Sequence, residues 1–241
     1  MLVCNLTYRE EHLKRIALII LFVSSIAAIP ATADTTNVTL TGIGGANQGG
    51  VYVAPYFLSL NGGTNITTIC DDYTHDVYVG ESWKATIQTF ATLSNTRFGQ
   101  AAGSAGNYGF GAYAEAAWLY TKFLGTPSQA GNINFAIWAL FSPAQAEGNL
   151  SGWTLGAQTW LKSAQTWFAL NCSSAADTCG GIDLSAFEFI TPADLTSSDS
   201  PQEYITMTPE PGSLVLMGLG AILLAFVARR LQNQVGIEGT V

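Results

Sequence analysis

The sequence predicts an α+β body: a β-rich first half, about three helices, a closing strand, and then a separate C-terminal transmembrane helix. Three observations predict it. Apolar residues alternate one by one between glycine clusters up to about residue 90, then recur at helical spacing from Tyr113 to Leu170. Behind them, Ser213 to Ala228 carries no charge and is followed by paired arginines. Only 11% of the 241 residues are charged and the net charge is −8, with 25 glycines. That balance excludes a basic nucleic-acid binder and a charge-rich disordered chain.

Taken in order, residues 1–33 read as a secretory signal peptide. Lys14 and Arg15 form a basic region, Ile16 to Ile29 an apolar run, and Ala31-Thr32-Ala33 the small-x-small pattern before a cut at Asp34. Fourteen residues span about 21 Å as a helix, short of a bilayer core of about 30 Å. Cleavage by signal peptidase is therefore expected rather than anchoring.

The exported globular domain is 34–207. Lys84, Arg97, Lys122 and Lys162 face thirteen acids between Asp34 and Thr208, a net charge of −9. This favours solubility and disfavours anionic polymers. Val38 and Leu40, then Val51, Val53, Tyr56 and Leu58, alternate as strands around the glycines of 42–50. Asn61-Gly62-Gly63 is a hairpin signal leading into the β-branched run Ile66 to Ile69. Val77, Val79 and Ala85 to Phe90 continue the strand pattern, and the Gly/Ala/Ser-rich stretch 99–111 reads as a loop.

Helical period begins at Tyr113, Ala116, Ala117, Tyr120 and Phe123-Leu124, and stops at Gly125 with Pro127 beyond. A second helix is expected over 128–141, ended by Pro143, and a third over 155–170. Trp153, Trp160 and Trp167 lie seven apart, which predicts a buried stripe on one helix face; a sugar-stacking row is the rival reading. Phe187, Phe189 and Ile190 form the closing strand.

Cys4 leaves with the signal peptide. Cys172 and Cys179 sit in a short polar loop of an exported chain, so a disulfide is expected. Cys70 is left alone at the head of Cys70-Asp71-Asp72-Tyr73-Thr74-His75-Asp76, which holds the one histidine after the predicted cut. One Cys and one His cannot supply a zinc site, no calcium loop with its closing glutamate is present, and residues five apart on a strand face opposite ways. No metal or cofactor is expected. A buried cysteine is the plain reading.

The last segment is the most specific. Thr208-Pro209-Glu210-Pro211-Gly212 precedes the uncharged span, and Arg229-Arg230 follow it. The arginines place the far side in the cytoplasm and the body outside, in agreement with the signal peptide. Triplet, span and basic pair over 208–232 together resemble the PEP-CTERM sorting domain of exopolysaccharide-producing Gram-negative bacteria. The resemblance implies transient residence in the inner membrane and recognition of Pro209, Glu210, Pro211, Arg229 and Arg230 by a membrane exosortase. Release to the cell surface or extracellular space follows. Residues 233–241 extend beyond the usual tail and have no assigned role.

A weaker resemblance spans Tyr52 to Trp138. A cysteine at a strand end, Trp83, and Phe135-Ala136-Ile137-Trp138 are similar to the thioester domains of bacterial surface adhesins. There a glutamine four residues before the tryptophan bonds the cysteine; this chain has Asn134, one methylene shorter, so Cys70 and Asn134 form at most a degenerate pair.

No Gly-x-Ser-x-Gly, His-Glu-x-x-His or phosphate loop occurs. The expectation is therefore a non-enzymatic exported surface or matrix protein, adhesive in character, with extracellular polysaccharide as a partner and no nucleic acid. The rivals are a secreted polysaccharide hydrolase using two of Asp71, Asp72, Asp76, Glu81 and Glu115, and a degenerate thioester-type covalent adhesin.

Overall fold

A computed structural model describes residues 35–100, 109–172 and 178–208, together with Gly220. The predicted signal segment with Ala31, Ala33 and Asp34 lies outside the described residues. So do Pro209, Glu210, Pro211, Arg229, Arg230 and the 233–241 extension. Among the described residues no helix is long and apolar enough to cross a membrane; the predicted span falls outside them.

The strands are β1 (Thr36–Ile43), β2 (Asn47–Gln48), β3 (Val51–Tyr52), β4 (Tyr56–Leu60), β5 (Asn65–Cys70), β6 (Ser82–Gln88), β7 (Thr178–Cys179), β8 (Ile182–Asp183), β9 (Phe187–Pro192) and β10 (Tyr204–Met207). Six of them close into an antiparallel barrel in the order β1–β4–β5–β10–β9–β6. The two-residue pairs β2–β3 and β7–β8 stand apart as small ribbons.

Period-2 alternation sets the register. Leu40 pairs with Leu58 and Val38 with Trp83, while Val38, Leu40 and Leu58 are buried. A bulge between Leu40 and Gly42 interrupts the β1–β4 ladder, a device that adds local twist. The β4–β5 turn is the predicted hairpin: Asn61 and Gly62 both take positive φ, at 50° and 73°.

The helices are α1 (Arg97–Gln100), α2 (Phe110–Gly125), α3 (Ala130–Phe141), α4 (Pro143–Gly148) and α5 (Leu155–Asn171). The three long helices of the sequence reading are present. α2 ends at Gly125, and α4 takes Pro143 at its first position, where a missing amide costs nothing. Thr154 caps α5, its hydroxyl accepting from the Ala157 amide at 3.2 Å. α3 is buried on nearly every face, from Ile133 through Phe141, because it packs against α2, α5 and β5. Cys172 and Cys179 are bonded, with Cα atoms 4.8 Å apart.

Four expectations need correction. Val77 and Val79 are in the non-strand segment between β5 and β6, not in a strand; glutamate and glycine around them favour a loop, and Tyr78 and Val79 are exposed. The closing element is two strands rather than one, and β10 completes the barrel by pairing with both β5 and β9. Phe110 and Gly111 belong to α2 rather than to the preceding loop. The tryptophan stripe is half-buried: the innermost face of α5 is Ala157 and Ala164, and Trp160 and Trp167 flank it against Trp118 of α2. Indoles are too large for the close helix approach that alanine allows, so they fill the groove beside it.

Candidate functional site

The chemistry-bearing side chains meet where β5 ends and β10 begins. Cys70, Asp71 and Asp72 leave β5, Gln202 and Glu203 enter β10, and the Asp71 amide donates to the Glu203 carbonyl at 3.3 Å. Asp71, Asp72 and Glu203 are each 0% exposed. Burying three carboxyls is costly unless each finds a partner or a proton.

Asp72 finds a cation. Arg97, from α1, places Nε 2.9 Å from Oδ2. The other Asp72 oxygen accepts from the amide and hydroxyl of Thr74, at 2.9 and 2.8 Å, closing a tight turn. Arg97 is itself fixed: its guanidinium donates to the Ser200 hydroxyl at 2.7 Å and to the Pro201 carbonyl. His75 completes the set, with Nδ1 2.8 Å from Asp72 and Nε2 3.2 Å from Arg97. The tautomer protonated at Nδ1 satisfies both neighbours. Both ring nitrogens are thus engaged away from Cys70, and the two do not form a nucleophilic dyad.

Glu203 is held by three donors. Its Oε1 accepts from the Tyr113 hydroxyl at 2.8 Å, and its Oε2 from the Arg97 amide at 2.9 Å and the Thr191 hydroxyl at 2.5 Å. Asp71 has no such donors. Counted as a carboxylate, it leaves two buried orphan oxygens; counted as a neutral acid, it has a proton to share with Glu203. Burial first, then the charges of Glu203 and Asp72, push the Asp71 pKa well up. Burial also raises Glu203, but its three donors pull the other way. The pair therefore reads as one neutral acid, Asp71, beside one carboxylate, Glu203.

Cys70 and Asn134 are neighbours, but through the main chain. The Asn134 side-chain amide donates to the Cys70 carbonyl and accepts from the Ala54 amide, both at 2.8 Å. The thiol donates to the Asp72 carbonyl at 3.1 Å. Burial, followed by the charges of Asp72 and Asp71, raises the Cys70 pKa well above that of a free thiol. The thiol is a poor nucleophile, and the amide is committed on both sides. This is a packing bracket that ties α3 to the barrel; the geometry does not support a thioester pair.

The remaining acids do not converge on these. Glu81 accepts from the Tyr78 amide at 3.0 Å and so closes a local turn. Glu115, half-buried on α2, has its pKa raised to about 7 by burial. Asp76 is exposed and makes no hydrogen bond or ion pair with the described residues. Among the described residues, no grouping of three or more His, Cys, Asp or Glu side chains could hold a metal ion. Sequence reasoning found Asp71, Asp72 and His75 but missed Glu203, Arg97, Tyr113 and Thr191. Only the barrel closure brings those together, and the one local signal for it was the short alternating run 204–207.

Above the cluster lies a pocket of about 530 Å³. Tyr56, Tyr73 and Trp138 line it, and the exposed rings of Tyr52 and Tyr78 stand at its edge.

Residues 208–230 match the PEP-CTERM protein-sorting motif. The chain therefore carries a C-terminal sorting signal, processed by exosortase, that marks a secreted protein sorted to the cell envelope. No curated protein and no solved structure matches the chain.

Proposed function

We propose that the chain is a non-enzymatic, adhesive protein of the cell surface or extracellular matrix. The tail holds it briefly in the inner membrane, and cleavage near Pro209-Glu210-Pro211 then releases it. The observation that carries this reading is the position of the sorting motif. It begins at residue 208, immediately after β10 ends at Met207, so the tail follows directly on a completed barrel. The buried cluster supports the non-catalytic part. Asp72 and Glu203 are held by Arg97, His75 and main-chain and hydroxyl donors, and none of the three carboxyls, Asp71 included, has exposed surface on which a substrate could bind.

The triplet holds two prolines, each of which lacks an amide donor and disfavours helix in the residue before it. A processing enzyme would read the triplet, while insertion needs only the apolar span and the arginines. The test is to express Glu210→Ala and Arg229→Ala/Arg230→Ala variants in the native host and to follow membrane-bound and released protein. Accumulation of uncleaved Glu210→Ala in the membrane is expected. Equal release of the variant and wild type, or permanent retention of both, would leave a simple tail-anchored protein.

A further inference from the structure

We propose that the pocket between the β2–β3 ribbon and the 71–81 loop binds a neutral glycan. The proposal rests on the surface-protein reading above and assigns its adhesive site. The floor is aromatic, and its polar groups are engaged except for the Trp138 indole nitrogen, which is buried without a hydrogen-bond partner among the described residues. Tyr56 donates its hydroxyl to the Tyr52 carbonyl at 2.7 Å, and Tyr73 packs edge-on against Trp138 with ring centroids 4.9 Å apart. Gln202, which also lines the pocket, donates to the Asp72 carbonyl and accepts from the Tyr204 hydroxyl. The floor therefore offers mainly ring surface, with the Trp138 N–H a donor left unpaired among the described residues.

The rim is different. Tyr52, from β3, is 59% exposed and Tyr78, from the 71–81 loop, is 72% exposed. Neither hydroxyl makes a hydrogen bond among the described residues, and Asp76 beside them has a carboxylate without a partner. Large aromatic rings left in water on a body with so little charge mark a binding surface. Ring faces together with hydroxyl donors and one strong acceptor suit a ligand that is flat and apolar on one side and rich in hydroxyls at its edge, which describes a sugar ring.

Charge selects among the alternatives. With a net charge of −9 on the body and Asp76 at the rim, an anionic polymer is repelled. A purely apolar ligand would strip water from Asp76 without replacing its hydrogen bonds. A small cation could neutralise Asp76, but it would fill little of a 530 Å³ space. Several sugar rings of an uncharged polymer meet all three conditions.

The test is titration calorimetry on the full chain in a polyoxyethylene detergent, which has no sugar headgroup. The probes are maltohexaose, cellohexaose, isomaltohexaose and mannohexaose, with alginate oligomers and choline chloride as charged comparators. At least one neutral hexasaccharide should bind, with an affinity insensitive to added salt. Tyr52→Ala and Tyr78→Ala should each weaken that binding by about tenfold or more, a loss equivalent to about 1.4 kcal/mol. Both side chains are outside the core, so an unchanged urea midpoint will show that the variants remain folded. The proposal is overturned if no neutral probe binds, if alginate or choline binds in preference, or if binding survives both substitutions. Loss of the pocket assignment with the protein still found at the cell surface leaves the sorting reading intact; absence from the surface removes the reading beneath it.

Discussion

Replacing Asp71 with asparagine should change how stability depends on pH more than it changes stability itself. Asp71 is buried and has no donor of its own, and burial, then the charges of Glu203 and Asp72, push its pKa well up. Its folded pKa is raised above an unfolded value of about 3.9. The stabilisation it gives as a neutral acid is therefore fully present below that value and is lost as pH rises through the folded pKa. In that window the native state binds one proton more than the unfolded state, so stability falls by about 1.4 kcal/mol per pH unit. The carboxamide of the variant would keep an N–H donor toward Glu203 and remove the titration. Its second N–H would be buried without a partner, at a cost of about 1–3 kcal/mol. Asp71→Asn should then be less stable than wild type at about pH 4, with the gap narrowing as pH rises because its curve is flatter by up to one proton. Urea unfolding followed by tryptophan fluorescence at a series of pH values measures both slopes. Parallel curves would refute the raised pKa and mean that Asp71 is ionised in the folded protein.

Asn134→Ala leaves the Ala54 amide and the Cys70 carbonyl buried without partners and should cost about 2–6 kcal/mol in urea unfolding; a loss below about 1 kcal/mol would mean that the bracket is dispensable. Cys172→Ser/Cys179→Ser should lower stability by about 2.5 kcal/mol, read against wild type in non-reducing buffer. Glu115→Gln should raise stability at about pH 8 by about 1 kcal/mol, less than a pKa of about 7 implies because water screens its exposed share, and should have little effect at about pH 4.

Much of the body was legible because its local signals agree with its tertiary structure. Asn61-Gly62 turned where Asn-Gly turns, Gly125 and Pro127 ended α2, and the Cys172–Cys179 loop was too short and too oxidising in context to be read otherwise. Where the reading failed, long-range pairing decided the outcome. Val77 and Val79 carry strand propensity but have no ladder to join, because β6 pairs with β1 and β9 from Ser82 onward. The candidate site failed in the same way. Cys70 to Asp76 advertised itself as a cluster, yet its partners Arg97, Tyr113, Thr191 and Glu203 are spread along the chain, and no spacing rule connects them. The sorting motif needed no fold at all to be read, since its meaning lies in local order: triplet, apolar span, basic pair.

The barrel's topology has a consequence for export. β10 lies between β5 and β9, so the sheet cannot close until residues 204–207 are available on the outer side of the membrane. Glu203, whose carboxylate accepts from Tyr113, Thr191 and the Arg97 amide, enters at the same moment. Before then Arg97 and Asp72 can pair, but Asp71 has no carboxyl with which to share a proton, and the end of β5 has no neighbour on one side. The motif begins at residue 208, which donates its amide to the Ala186 carbonyl at 2.9 Å, so no free linker separates the folded body from the segment to be processed. The strand that closes the barrel and the Pro209-Glu210-Pro211 triplet are thus adjacent in the sequence. A body that has not closed leaves the strand before the triplet unpaired, and a closed one pairs it on both sides. Folding of the exported domain thus settles the strand that immediately precedes its sorting signal.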